Sequence, residues 1–324
     1  MKVEPNKILV GSSGTGTAFG IISRLKSTYK NQIEIYTMDI LPEHLCTASI
    51  FSKKHFQVPK LADSNFEVIF EKILINNNIS TFIPILNEEL IIANKLRKKD
   101  NLKHIDFWTS DLYSQLVSKE EADNLLKLSV VDVPESIFSY SEFINLKNDL
   151  PKFIFAKPKI GIGSKDAHII NLEKTNIDKT FFNNYLLQEI CEKPEITVDS
   201  FYDNNSDDLY IYCRERIEVK SGVSVKVKVF FDADLYDIAK KIAINIDQIG
   251  AICFQVMKNK DGKYVVTDLN LRTGAGTNMT CSAGFDILSS NYALRKSLPY
   301  EHLLTKITKD EEIFLTRQYV DFVM

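Results

Sequence analysis

The stretch CFQVMKNKDGKYVVTDLNLR, residues 253–272, brings together the side chains with the most evident chemistry. Two alternating runs flank Asp261-Gly262, a pair that favours a two-residue type I′ hairpin turn. With that turn Lys260 faces Lys263, and counting outward places Gln255 opposite Asp268. Strand side chains alternate, so Asn270 and Arg272 share the face of Gln255 and Asp268, while Phe254, Val256, Val265, Thr267 and Leu269 form an apolar face. A solvated polar face is one reading of such a hairpin. The other is magnesium chemistry, because a carboxylate and amide oxygens suit a cation that keeps several waters and takes phosphate oxygens as further ligands. The neighbouring arginine would hold a phosphate or carboxylate through two N–H groups at once.

Two further stretches have chemical potential. FIFAKPKIGIGSKD delivers Lys157 at a strand end and then a loop with Gly161, Gly163 and Ser164. Backbone N–H groups of such a loop can fold over phosphates beside a compact ammonium, although an ordinary turn would look the same. In YLLQEICEKPEITVDSF, Gln188, Glu189 and Ile190 close an apolar strand and Glu195 opens the next. The strand end could offer backbone groups to a purine edge and Glu195 could accept ribose hydroxyls; an exposed turn acid is the alternative.

The elements that must position these groups fall into two patterns. From residue 7 to about 110, strand-like runs alternate with helical ones, which predicts a parallel sheet covered by helices. The first strand runs into GSSGTGTAFG, whose Gly11, Gly14, Gly16 and Gly20 miss the G-x-G-x-x-G order, so a dinucleotide-dependent oxidoreductase would rest on a weak fingerprint. Ser118 and Glu121 form a capping box for a helix beginning VSKEEADNLL, followed by a strand ending at Pro134. Beyond Pro151 the runs are longer and closer, which predicts an antiparallel sheet with helices near 175–185, 233–249 and 284–297.

Composition narrows the partners. The formal charge of -3 is spread over mixed Lys, Arg, Asp and Glu, so nothing recruits nucleic acid. No apolar run reaches the roughly 18 residues of a membrane span, and the start lacks a signal-peptide core, which predicts no membrane partner. Five widely spaced cysteines predict reduced thiols and a cytoplasmic protein, and the five histidines show no metal-ligand spacing.

Together and in this order, the three stretches resemble the ATP-grasp superfamily, especially its carbamoyl-phosphate-synthetase-like branch, over essentially the whole chain. The resemblance implies an α/β (α+β) fold: an N-terminal Rossmann-like pre-grasp domain over 1–113, a linker helix and lid over 114–187, and a C-terminal antiparallel-sheet domain with the metal site over 188–324. By position, Lys119 and Lys157 are similar to the family's phosphate-binding pair, with Gly161, Gly163 and Ser164 in the lid loop. Gln188, Glu189 and Ile190 match the adenine segment and Glu195 the ribose ligand. Gln255, Asp268 and Asn270 resemble the branch's Gln, Glu and Asn metal set. Arg272, Arg214 and Arg216 fall where related ligases face the acyl substrate, although Arg214 and Arg216 could equally pair with nearby carboxylates. Glu88 or Glu89 matches an acidic pair bordering the active cleft, or else caps its helix. Asp268 is shorter than the usual Glu, and Asn270-Leu271-Arg272 replaces Asn-Pro-Arg. The implied activity is an ATP- and Mg2+-dependent (or Mn2+-dependent) carboxylate–amine ligase acting on small-molecule carboxylate and amine substrates, with a homodimer among the expected assemblies. The alternative is a non-catalytic or regulatory ATP binder.

Overall fold

The computed structural model describes residues 4–112, 118–160, 166–220, 222–318 and 320–324. The chain divides into two compact units, one made of Met1–Ser114, Leu271–Thr305 and Gln318–Met324, the other of Gln115–Asn270 and Lys306–Arg317. The expected C-terminal domain over 188–324 is therefore interrupted, because 271–305 folds with the N-terminal unit.

The first unit begins with β1 (Asn6–Val10), α1 (Gly16–Tyr29), β2 (Ile33–Asp39) and β3 (Lys54–Gln57). It continues through α2 (Phe66–Asn76), β4 (Thr81–Ile83), α3 (Asn87–Leu96) and β5 (Asp106–Phe107). The strands form a parallel sheet in the order β3-β2-β1-β4-β5, as the alternating pattern predicts. Ile8, Leu9 and Val10 of the central strand are wholly buried, which is why β1 reads as a continuous apolar run.

The glycine turn after β1 is closed by the protein's own carboxylates. Asp39 accepts from Gly14 N at 2.8 Å and Leu41 N at 3.0 Å. Glu89 accepts from Ile85 N at 2.7 Å, Leu86 N at 3.0 Å and the Ser12 hydroxyl at 2.8 Å. Of the two expected acids, Glu89 is thus the helix-opening cap, and burial pushes its carboxyl above the ordinary range against the pull of those donors. Negative charge lines the turn that a pyrophosphate would need, which argues against the dinucleotide reading.

The second unit holds two antiparallel sheets. The smaller, ordered β6-β9-β7-β8, comprises β6 (Ser136–Ile137), β7 (Phe153–Pro158), β8 (His168–Asn171) and β9 (Tyr185–Gln188). Beside it lie α4 (Lys119–Leu128) and α5 (Tyr140–Leu146). The larger sheet contains β10 (Glu192–Asp203), β11 (Asp208–Lys220), β12 (Val223–Phe230), β13 (Gly250–Lys258), β14 (Tyr264–Asn270) and β15 (Ile313–Thr316). Its order is β14-β13-β10-β11-β12-β15, and α6 (Ala233–Asn245) packs on β10 and β11.

Two local expectations are corrected. No strand ends at Pro134; the short β6 follows it. The helix expected at 175–185 is only a 3-10 turn over Phe181–Asn183, because Phe182 is drawn into the small sheet's core beside Phe143. The Ser118 capping box is present, with Ser118 Oγ accepting from Glu121 N at 3.2 Å.

The chain returns to the first unit as α7 (Thr277–Ser282) and α8 (Ile287–Arg295), which pack on α1. Tyr29 and Tyr292 meet with ring centroids 4.6 Å apart, and Tyr29 donates to Ser289 O at 2.7 Å. Among the described residues no helix is long and apolar enough to cross a membrane.

A Cβ at Gly11 would overlap the Glu89 carboxylate, which its three hydrogen bonds hold in place. Gly11→Ala is therefore expected to lower stability by about 1–3 kcal/mol. An unchanged urea midpoint would show that Glu89 can move aside.

Candidate functional site

The β13–β14 hairpin reaches the expected pairing by an unexpected route. Its loop is one residue longer than a two-residue turn: Asn259 N donates to Lys263 O at 2.9 Å and Gly262 N to Asn259 O at 2.9 Å, with Gly262 at φ 76°. The Asn259 side chain selects this loop by accepting from Asp261 N at 3.1 Å and Lys263 N at 3.0 Å. The pairing is consequently one residue out from the expected one near the turn, with Val256 opposite Val266. A bulge at Thr267 then restores it, and Gln255 faces Asp268. Val265 pairs with Met257 and so leaves the apolar face on which it was expected, while Thr267 lines the cavity described next.

The bulge has a partner. Lys157, at the end of β7, donates to the Thr267 carbonyl at 2.7 Å. Lys119, at the first turn of α4, forms an ion pair with Asp268 Oδ1, while Asn270 donates to Asp268 Oδ2 at 2.9 Å. Burial opposes charge on Asp268, but Lys119 and Lys157 outweigh it and hold the carboxyl below its ordinary range. Lys157 is pulled down by burial and partly restored by Asp268.

Lys119, Lys157, Thr267 and Asp268 line a cavity of about 270 Å³ within the second unit, and Asn270 stands behind Asp268 without lining it. Phe155, Ile169 and Met257 give it apolar walls, with Gln188, Glu189, Ile190 and Glu195 along its border. Gln188 donates to the Ser136 hydroxyl at 3.0 Å, and Glu189 exchanges hydrogen bonds with the Glu135 backbone at 2.9 Å each way. Arg216 bonds Glu195 at 2.5 Å. In the orientation that satisfies its neighbours, the Gln255 amide donates to Glu195 Oε1 at 3.1 Å and accepts from Arg216 at 3.2 Å.

Not every expected residue joins the group. Arg214 is buried against Asp199 at 3.2 Å and does not line the cavity. Arg272 falls beyond the end of β14, so alternation does not carry it onto the Gln255 face; it bonds Asn87 Oδ1 and Thr273 O, each at 3.1 Å. Gly161, Gly163 and Ser164 lie outside the described residues. Cys191 lines the cavity without having been singled out, and burial, with Glu189 beside it, pushes its thiol up to about 11, leaving it protonated at neutral pH. Thr267 was also missed as a site residue, because the bulge that turns it has no signature in the sequence.

Among the described residues no three His, Cys, Asp or Glu side chains converge as a metal cage. One carboxylate with amide groups beside two lysines fits a magnesium ion that arrives carrying phosphate oxygens, and does not fit one held by protein alone. Asp268→Asn would strip two lysines of their shared counter-charge, so it is expected to cost about 1–3 kcal/mol of stability. Urea unfolding without magnesium tests this, and an unchanged midpoint would mean the pairing contributes nothing.

Comparison with known proteins supplies context. Residues 181–311 match a family described as ATP-grasp in the biosynthetic pathway with Ter operon. No curated protein matches the sequence. The fold is similar to N5-carboxyaminoimidazole synthetase from Staphylococcus aureus complexed with ADP, at TM-score 0.70 and 13% identity, covering 92% of this chain and 79% of that one. It is also similar to L-amino acid ligase from Bacillus licheniformis, at TM-score 0.69 and 9% identity, covering 93% and 77%. Biotin carboxylase from Campylobacter jejuni gives TM-score 0.72 and 14% identity, covering 95% and 74%.

Proposed function

We propose that this chain, a member of the ATP-grasp superfamily, is an ATP-dependent carboxylate–amine ligase that forms an amide or peptide-type bond through an acyl phosphate. The observation that carries the reading is the cavity in which Lys119, Lys157, Glu195, Gln255 and Asp268 converge from five separate elements. Backbone groups of Gln188, Glu189 and Ile190 would take the adenine edge and Glu195 the ribose. Lys119 and Lys157, with Gly161, Gly163 and Ser164, would take the phosphates.

In the reaction, a carboxylate oxygen attacks the γ-phosphorus, the bond to the β–γ bridging oxygen breaks, and ADP departs. The amine nitrogen then attacks the acyl carbon, the carbon–oxygen bond to phosphate breaks, and the nitrogen loses a proton. Lys157 and Lys119 offset charge on the phosphoryl oxygens. Magnesium or manganese, held by Asp268 with oxygens of Gln255 and Asn270, would neutralise phosphate charge when bound. Arg216, which lines the cavity, is the guanidinium that would orient the acyl group there, since Arg214 lies outside the lining, buried against Asp199. The Lys119–Asp268 ion pair suits an exchange in which Lys119 would turn to a phosphate and Asp268 would be free to hold the cation.

The substrates fall in the class of small carboxylates and amines, with an amino acid, a small peptide or an amino-acid-bearing sugar as candidates. A cytoplasmic location and a homodimeric assembly go with this reading. A non-catalytic ATP binder is the second reading, favoured by the short Asp268 side chain and its ion pair with Lys119.

ATP with magnesium should raise the melting temperature, and NAD should not. With the true substrate pair, ADP and phosphate should appear only when carboxylate and amine are both present, and hydroxylamine should trap a hydroxamate. AMP and pyrophosphate would mean adenylation and overturn the ligase reading; nucleotide binding without ADP release across substrate screens would favour the binder.

A further inference from the structure

Asp123 lies on α4, one turn beyond Lys119 and therefore on the same helix face. It is 7% exposed, and its Oδ2 has no hydrogen-bond partner among the described residues. Acidic side chains are seldom buried this far unless they are paired. The charges facing it are Lys157 from β7, which acts on it most strongly, then Lys127 and Lys119 from its own helix. The Ser136 hydroxyl of β6 stands beside it, donating to Pro134 O at 3.0 Å and accepting from Gln188.

We propose that Asp123 is a positioning residue of the nucleotide site, holding the Lys157 ammonium in place for a phosphate. Lys157 is partly buried and has two anions near it, Asp268 and Asp123. Asp268 is already shared with Lys119 and Asn270, and in the reading above it is surrendered to the metal of the incoming nucleotide. Asp123 is then the anion that remains with Lys157. Its place on the Lys119 helix, beside the Ser136–Gln188 bond of the small sheet, also ties both lysines and the purine-binding strand end into one cluster.

The energetic sign separates this role from a structural one. Burial, opposed by Lys157 and the other cations, pushes the Asp123 carboxyl up to about 6 from 3.8. The folded chain therefore holds this proton more tightly than the unfolded chain does. The stability that results is present below the unfolded value and is lost as pH rises through about 6. At neutral pH the ionised carboxylate is therefore less favourable to the fold than its protonated form would be.

The inference rests on the nucleotide reading of the cavity, and the experiment separates the two. Binding of ATP with magnesium is measured calorimetrically from pH 5 to 8 for the wild type and Asp123→Asn, alongside urea unfolding of each. The variant should be as stable as the wild type or more so, should bind roughly tenfold more weakly at neutral pH, and should lose the fall in affinity that the wild type shows below about pH 6. Unchanged or tighter binding by the variant, or a fall in affinity that persists in it, overturns the positioning role while leaving the nucleotide reading standing. A wild type that binds no ATP with magnesium overturns both. If Asp123→Asn fails to fold, Ser136→Ala serves instead: it removes a neighbour that stabilises the anion, and should move the acid fall to higher pH. An unmoved fall counts against the proposal.

Discussion

Lys119, Lys157 and Asp268 share a partly buried space, and their charges have to balance one another within it. Burial alone would lower the affinity of Lys157 for a proton and raise that of Asp268. The balance depends on three separate pieces of backbone being brought to one point: the capped start of α4, the end of β7 and the middle of a hairpin strand. Both local devices described above serve that convergence. The capping box fixes where Lys119 begins its helix, and the Thr267 bulge presents the carbonyl that anchors Lys157.

The second charge group, Glu195 with Arg216 and Gln255, follows the same logic at another part of the cavity border. Both groups make the unliganded cavity self-compensating. In the proposed reading, a polyanion carrying a cation would replace the Lys119–Asp268 pair with equivalent ones, so the desolvation of these side chains would be met largely during folding.

How much of this was legible in the sequence varies with the kind of signal. Strand runs such as VSVKVKVF coincide with β12, because burial on one face imposes an alternation that can be read directly. Gln255 opposite Asp268 was also legible, yet only because two single-residue offsets, one at the Asn259 loop and one at Thr267, cancel. The apolar run around Phe181 and Phe182 looks helical until the small sheet's core claims Phe182. Arg214 and Arg216 look alike in sequence, and only Asp199, fifteen positions before Arg214, distinguishes them. Asp123 gave no warning, since a polar residue on a surface helix is ordinary until its neighbours are known.

The partition of the chain has a consequence for biogenesis. The chain passes between the two units at residues 114–115, 270–271, 305–306 and 317–318, so neither unit is a continuous segment. The five parallel strands leave the ribosome long before α7 and α8, and α1 lacks those packing partners until the chain has been made to about residue 295. Until then Tyr29 has no Tyr292 to meet and no Ser289 carbonyl to bond. The five-stranded sheet must wait with one face of α1 uncovered while the whole second unit, apart from β15, is synthesised, which is the stage at which a nascent chain of this connectivity has most need of chaperones.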